Sequence, residues 1–152
     1  MHQLPLSIEF VGPAVALVAW SLVMWLWMYA TRIPAMLAMQ MKPDSNAPSG
    51  VQMAMLPPKV RWKADNYNHL MEQPTIFYCL ALSLALLGCT NSMAITLAWV
   101  YVGLRVIHSL VQALTNKIEV RFLVFVLSNG PLFGLTYYAA KQFLQMSSAI
   151  AD

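Results

Sequence analysis

Arg61, Asp65, Asn68, His69 and Glu72 stand at i, i+4, i+7, i+8 and i+11 in the stretch RWKADNYNHLMEQPTIFY. On helical spacing these positions share one face, so the stretch predicts a ladder of polar groups descending one side of a helix. Tyr101, Arg105, His108 and Gln112 repeat the pattern at i, i+4, i+7 and i+11, and Arg121 follows sixteen residues after Arg105. The chemistry open to such a set is the capture and activation of an anion. A guanidinium grips a carboxylate or stabilises a thiolate, and an imidazole can donate to a carboxylate. Other chemistries lack their parts. No second carboxylate supports paired acid–base work with Glu72. No Ser–His–Asp order or Cys/His cluster points to hydrolysis or to a metal.

The elements that hold these residues are read from composition. Of 152 residues, 59% are hydrophobic and 10% charged, against about a quarter charged in soluble chains. The formal charge of +3 comes without a basic stripe or metal-finger spacing, so nucleic-acid binding has no support. The first apolar run is too long for a cleaved leader and lacks a small-residue cleavage site, so it is expected to remain as a membrane span. Cys79 and Cys89 would lie roughly 15 Å apart on one helix, beyond disulfide reach, and read as packing residues.

Phe10–Thr31 is free of charge and long enough to cross a bilayer, for which about 20 residues suffice; Trp27 and Tyr29 suit an interface belt. Arg32 and Pro34 mark its exit, and the helix can run on toward Met41. Lys42–Pro58, with four prolines among Asp, Ser, Asn and Gly, reads as a loop. A second helix is expected from about Pro58 to Leu87, bent at Pro74, which frees the carbonyl of Leu70. Gly88 ends it, and Asn91 or Ser92 caps a third helix over about 92–114. After a turn at Thr115–Lys117 a fourth runs to about Met146, kinked at Pro131. The fold class is therefore all-α, an integral membrane four-helix bundle in a single domain over 1–152, with spans at 8–32, 66–87, 92–114 and 119–142.

Eight basic residues (Arg32, Lys42, Lys59, Arg61, Lys63, Arg105, Lys117, Arg121) fall on or near one face and only Lys141 toward the other. By the positive-inside rule that face is cytoplasmic and both termini lie outside the cytoplasm. Counting about 20 residues back from Leu87 places Glu72 about one turn inside the hydrocarbon, level with Arg105 and His108 and close to Arg121. Charges at such depth face a partner or a cavity. Two readings follow: a structural Glu72–Arg105 ion pair, or the wall of a polar pocket. Gly130 and Gly134 have GxxxG spacing, which reads as close helix packing or as part of a kink at Pro131.

The segments NYNHLMEQPTIFY and WVYVGLRVIHSL, with Arg121 beyond them, resemble the MAPEG family (membrane-associated proteins in eicosanoid and glutathione metabolism) over nearly the whole chain, most closely its bacterial members. The resemblance implies a homotrimer in the bacterial inner membrane. It also implies glutathione bound between subunits near the cytoplasmic face, and conjugation, isomerisation or reduction of a lipophilic electrophile. By position Arg121 matches the arginine credited with activating the thiol. Glu72, Arg105 and His108 match polar-site residues, His69 and Asn68 stand at neighbouring site positions, and Arg32 matches a further site arginine. Relative to prostaglandin-forming members, Asn68 replaces Arg, His69 replaces Asn, Gln112 replaces Tyr and Phe122 replaces Ser. The resemblance thus favours a membrane glutathione transferase or peroxidase-like protein. The alternative is a non-catalytic lipid-binding or scaffold protein of the same fold. A proton or ion pathway ranks last, since the outer halves of the spans supply few polar residues.

Overall fold

The structure is a computed structural model that describes residues 6–151, and all regular structure among them is helical. After a single 3-10 turn at Ile8–Phe10, α1 spans Val11–Ala38, α2 is one turn at Val51–Ala54, and α3 spans Pro58–Glu72. α4 spans Pro74–Leu86, α5 Ser92–Leu114 and α6 Ile118–Ala151. Three stretches are long and apolar enough to cross a membrane: Ile8–Ala38, Ser92–Leu114 and Ile118–Ala149. The ends of the chain, 1–5 and 152, whose side of the membrane the charge pattern assigns, lie outside the described residues.

Helix ends follow their local chemistry. Asn91 caps α5, its Oδ1 accepting from the Ala94 amide at 3.1 Å, which satisfies one of the orphan donors of the first turn. Gly88 closes the preceding helix at φ +63°, in the left-handed region where a Cβ is costly. The long expected helix over 58–87 is interrupted at Gln73, because Pro74 has no amide hydrogen to give the Leu70 carbonyl. Gln73 nevertheless keeps helical angles, φ −63° and ψ −36°, so the chain continues onward through the break. The Thr75 hydroxyl donates to the Glu72 carbonyl at 2.7 Å, and the Gln73 amide donates to Asn129 Oδ1 on α6, tying the joint to the opposite helix. The loop expected over 42–58 holds one helical turn, α2. Pro131 sits inside an α6 that runs unbroken.

α5 packs along α6, and α1 against α3, α4 and α5. Phe10, Leu17, Met24, Leu70, Phe77, Leu84, Tyr101 and Leu135 fill the core between them. Less than half of each apolar stretch is buried within the chain. The outward faces carry large apolar side chains such as Leu22, Leu82, Val100 and Phe133, the pattern of helices solvated by lipid.

The two glycines of α6 differ. A Cβ on Gly134 would fall 2.6 Å from Leu97 Cδ1 on α5, whereas one on Gly130 would meet nothing within 4 Å. Close approach therefore belongs to Gly134 alone. Gly130→Ala is expected to stabilise by roughly 0.5–1 kcal/mol through helix propensity. Gly134→Ala should show no such gain, because Leu97 must leave its rotamer at a cost of about 1 kcal/mol. Thermal unfolding of the two variants in detergent checks this; equal shifts would mean that α5 and α6 do not meet at Gly134.

Candidate functional site

α3, α5 and the start of α6 bring their polar faces together. Arg105 is fully buried at 0% exposure. Its Nε donates to the Tyr101 hydroxyl at 3.0 Å, and Tyr101 is stacked on Phe77 at a centroid separation of 4.6 Å. The guanidinium carbon lies 5.1 Å from the Tyr101 ring centroid and 5.4 Å from that of Phe125, an arrangement in which ring faces compensate part of a desolvated positive charge. Arg105 Nη1 stands 3.5 Å from His69 Nε2, and His69 Nδ1 stands 3.3 Å from Glu72 Oε2. A guanidinium can only donate, so Nε2 is the acceptor and the proton of a neutral ring sits on Nδ1, directed at Glu72. The His69 and His108 rings lie 4.8 Å apart at 31°, with Phe125 5.4 Å from His69. On α6, Arg121 Nη1 donates to Asn116 Oδ1 at 2.8 Å. Asn116 takes φ +48°, a conformation asparagine tolerates in turns.

These residues frame a cleft of about 410 Å³ lined by Asp65, His69, His108, Gln112, Ile118, Arg121, Phe122 and Phe125. One wall is polar and cationic; the other is aromatic and aliphatic, with Phe122 strongly exposed. Of the residues singled out from sequence, His69, His108 and Arg121 line this cleft together. Arg105 lies behind His69, off the wall. The expected Glu72–Arg105 ion pair is absent: Glu72 is 70% exposed and its ion-pair partner among the described residues is His69. The reason is angular, since three residues at 100° each leave Glu72 about 60° around the helix from His69. Asn68 and Arg32 do not reach this cleft. They line a second one of about 420 Å³ with Arg61, Asp65 and the α2 loop. Asp65 borders both.

Sequence reasoning missed Phe125, which closes the aromatic side, and Asn116, which holds Arg121. Phe125 carries no signal among the apolar residues of α6. Asn116 had one, as the residue of the 115–117 turn best suited to a left-handed angle. Gln112 is nearly buried, with Oε1 lacking a partner, and Arg105 Nη2 is likewise unpartnered. A cleft bordered by Arg121, two imidazoles, the Gln112 amide and the Asp65 carboxylate suits a polar ligand carrying carboxylates, amides and an ammonium. No group of metal-ligating residues occurs among the described residues.

The comparisons with known proteins bear on the same residues. No curated protein and no solved structure matched the chain. A family model does match, over residues 10–141, which takes in every residue of both clefts, all of Ser92–Leu114, and the other two apolar stretches save the first two residues of one and the last eight of the other. The chain is thus a membrane protein and belongs to the MAPEG family.

Proposed function

We propose that this protein is a membrane glutathione transferase or peroxidase-like enzyme, conjugating or reducing lipophilic electrophiles at the cytoplasmic end of the bundle. Members of the family generally use glutathione. The observation that carries the reading is the cleft itself: Arg121 shares it with two imidazoles on one side and Phe122 and Phe125 on the other. A water-soluble thiol and a membrane-dissolved electrophile can meet across such a boundary. In this reading α3 and α4 together make a fourth crossing, three copies assemble, and both termini lie outside the cytoplasm.

Glutathione supplies the nucleophilic sulfur. Arg121, held by Asn116, places a permanent positive charge beside that sulfur and favours its thiolate. His108 and the Gln112 amide hold the peptide's carboxylate and amide groups. Asp65, the carboxylate that lines the cleft, accepts its ammonium, and Glu72 orients His69 from outside the lining. Arg105 acts through His69, whose tautomer and orientation it sets. Phe122 and Phe125 exclude water from the apolar half and receive the electrophile.

Calorimetric titration of glutathione into the detergent-purified protein tests the reading. Saturable binding with appearance of thiolate ultraviolet absorbance is the expected result; binding without that absorbance would remove thiol activation. Complete absence of binding would favour the lipid-binding reading, to which the changed residues Asn68, His69, Gln112 and Phe122 already lend support.

A further inference from the structure

A third cleft, of about 470 Å³, lies at the end of the bundle opposite the Arg121 cleft, between the turn at 88–91 and the last third of α6. Tyr138, Lys141, Gln142 and Gln145 stand at i, i+3, i+4 and i+7 on α6, one helical face, and that face meets the turn. The turn itself is held in place. Gly88 takes φ +63°, the Cys89 amide donates to the Leu84 carbonyl at 3.0 Å, and the Gln142 side chain donates to the Leu87 carbonyl at 3.2 Å. Among the described residues no carboxylate lines the cleft, and Lys141 forms no ion pair. A single cation among hydroxyls and amides is therefore left without an anion.

Depth and the division of donors from acceptors narrow the ligand. Residues 122–140 of α6 carry no charge, a run of about 28 Å at helical rise and close to the ~30 Å of a hydrocarbon core. With Arg121 at one membrane interface, Lys141 stands at the other. It follows one turn after Tyr137 and Tyr138, whose rings lie 5.4 Å apart, and tyrosines gather at that level. Asn91 Oδ1 is taken by the Ala94 amide, which leaves the NH2 of Asn91 as a donor. With the Lys141 ammonium and the Thr90 and Ser92 hydroxyls, it makes a set suited to a phosphate. Gln142 has the opposite balance: its NH2 is taken by Leu87, so its Oε1 is left to accept from a hydroxyl.

We propose that the turn at 88–91 and the end of α6 form a headgroup site for an anionic phospholipid whose phosphodiester carries hydroxyls, as a glycerol headgroup does. Lys141, Asn91, Thr90 and Ser92 take the phosphate, and Gln142 accepts a headgroup hydroxyl. A headgroup ammonium is disfavoured, because Lys141 repels it and no carboxylate among the described lining residues offsets that repulsion. The site rests on the membrane placement of the chain and is independent of thiol chemistry at the other end.

Native mass spectrometry of the delipidated full-length protein tests it. The probes are phospholipids of identical chains with glycerol, methyl or choline on the phosphodiester, together with free glycerol phosphate. The glycerol lipid is expected to bind about tenfold more tightly than the methyl lipid, which has the same charge and no hydroxyl; that ratio is about 1.4 kcal/mol. The methyl lipid should in turn exceed the choline lipid, whose ammonium meets Lys141. Lys141→Gln should erase the preference for the anionic lipids over choline and keep the preference for glycerol over methyl. Because Lys141 is exposed, this variant is expected to fold as the wild type does. Lys117→Gln, at the opposite end of the bundle, should leave both ratios unchanged. Equal affinity for the glycerol and methyl lipids, or an anionic preference undiminished in Lys141→Gln, overturns the proposal. An equal loss in Lys117→Gln would assign the preference to the general charge of the basic face and overturn it as well. Displacement of lipid by millimolar glycerol phosphate would make this a soluble-anion site and overturn the lipid assignment.

Discussion

Arg105→Ala is expected to lower the unfolding free energy by about 3–5 kcal/mol, while Glu72→Gln should cost less than about 1 kcal/mol. The contrast follows from what each side chain touches. Arg105 has no exposed surface, and its truncation removes the hydrogen bond to Tyr101, the contact with His69 and two ring-face contacts. Hydrogen bonds to a charged group are worth about 1.5–3 kcal/mol each when buried, and desolvated cation–π contacts approach about 2 kcal/mol. Vacating so large a side chain adds a cavity. Among the described residues the Glu72 carboxylate meets the His69 imidazole, from an exposed position, where ion pairs contribute little. Tyr101→Phe should fall between them, at about 1–2 kcal/mol, because Arg105 Nε then loses its acceptor. Denaturation in detergent, followed by circular dichroism, measures all three. Equal losses for Arg105→Ala and Glu72→Gln would show that the two act as one ion pair after all.

That contrast also marks how far spacing could be read. The polar faces of 61–72 and 101–112 were visible because i, i+4, i+7 and i+11 depend only on helical pitch, and the two faces do meet. Which residue on a face meets which could not be read. Pairing depends on the rotation of α3 against α5, and a shift of about 60°, one i+3 step, exchanges His69 for Glu72 as the neighbour of Arg105. Helix ends were legible where a single residue decides them: Gly88 as left-handed terminator acts through its own backbone, and the cap, open between Asn91 and Ser92, is Asn91 through its side-chain oxygen. The interruption at Pro74 was legible for the same reason. α2 was not, since one turn between prolines is stabilised by the Gln52 contacts with Lys42 and Asp44, which are tertiary. The GxxxG pair illustrates the limit from the other side. Its spacing treats Gly130 and Gly134 alike, while the packing of Leu97 against one of them decides which matters. Depth counting had already set Arg121 near His108, and those two do share a cleft; the resemblance added a role for the arginine, activation of a thiol.

Under the proposed function, Arg121→Ala is expected to reduce turnover by about 100-fold or more, the scale seen when one preorganised stabiliser of developing negative charge is removed. A cysteine thiol has a pKa of about 8.5, so little thiolate exists at neutral pH. A fixed guanidinium beside the sulfur lowers that value and raises the reactive fraction. Arg121 is suited to hold such a charge steadily: its Nη1 is anchored on Asn116 at 2.8 Å, leaving the rest of the guanidinium free toward the cleft it lines. The sign of the pH dependence is fixed by this account. With Arg121 present, the rate should rise with pH through the lowered thiol pKa and level off below about 8.5; in Arg121→Ala the rise should move up toward about 8.5. Glutathione affinity should fall far less than turnover, because His108, Gln112 and Asp65 hold the rest of the peptide. Asn116→Ala should reproduce a part of the turnover loss with the same direction of pH shift, since it loosens Arg121 without removing the charge. Stopped-flow conjugation of a lipophilic electrophile across a pH series, alongside titration of glutathione, reads both quantities. A loss of affinity equal to the loss of turnover, with the pH profile unmoved, would make Arg121 an anchor for the peptide and leave thiol activation without its residue.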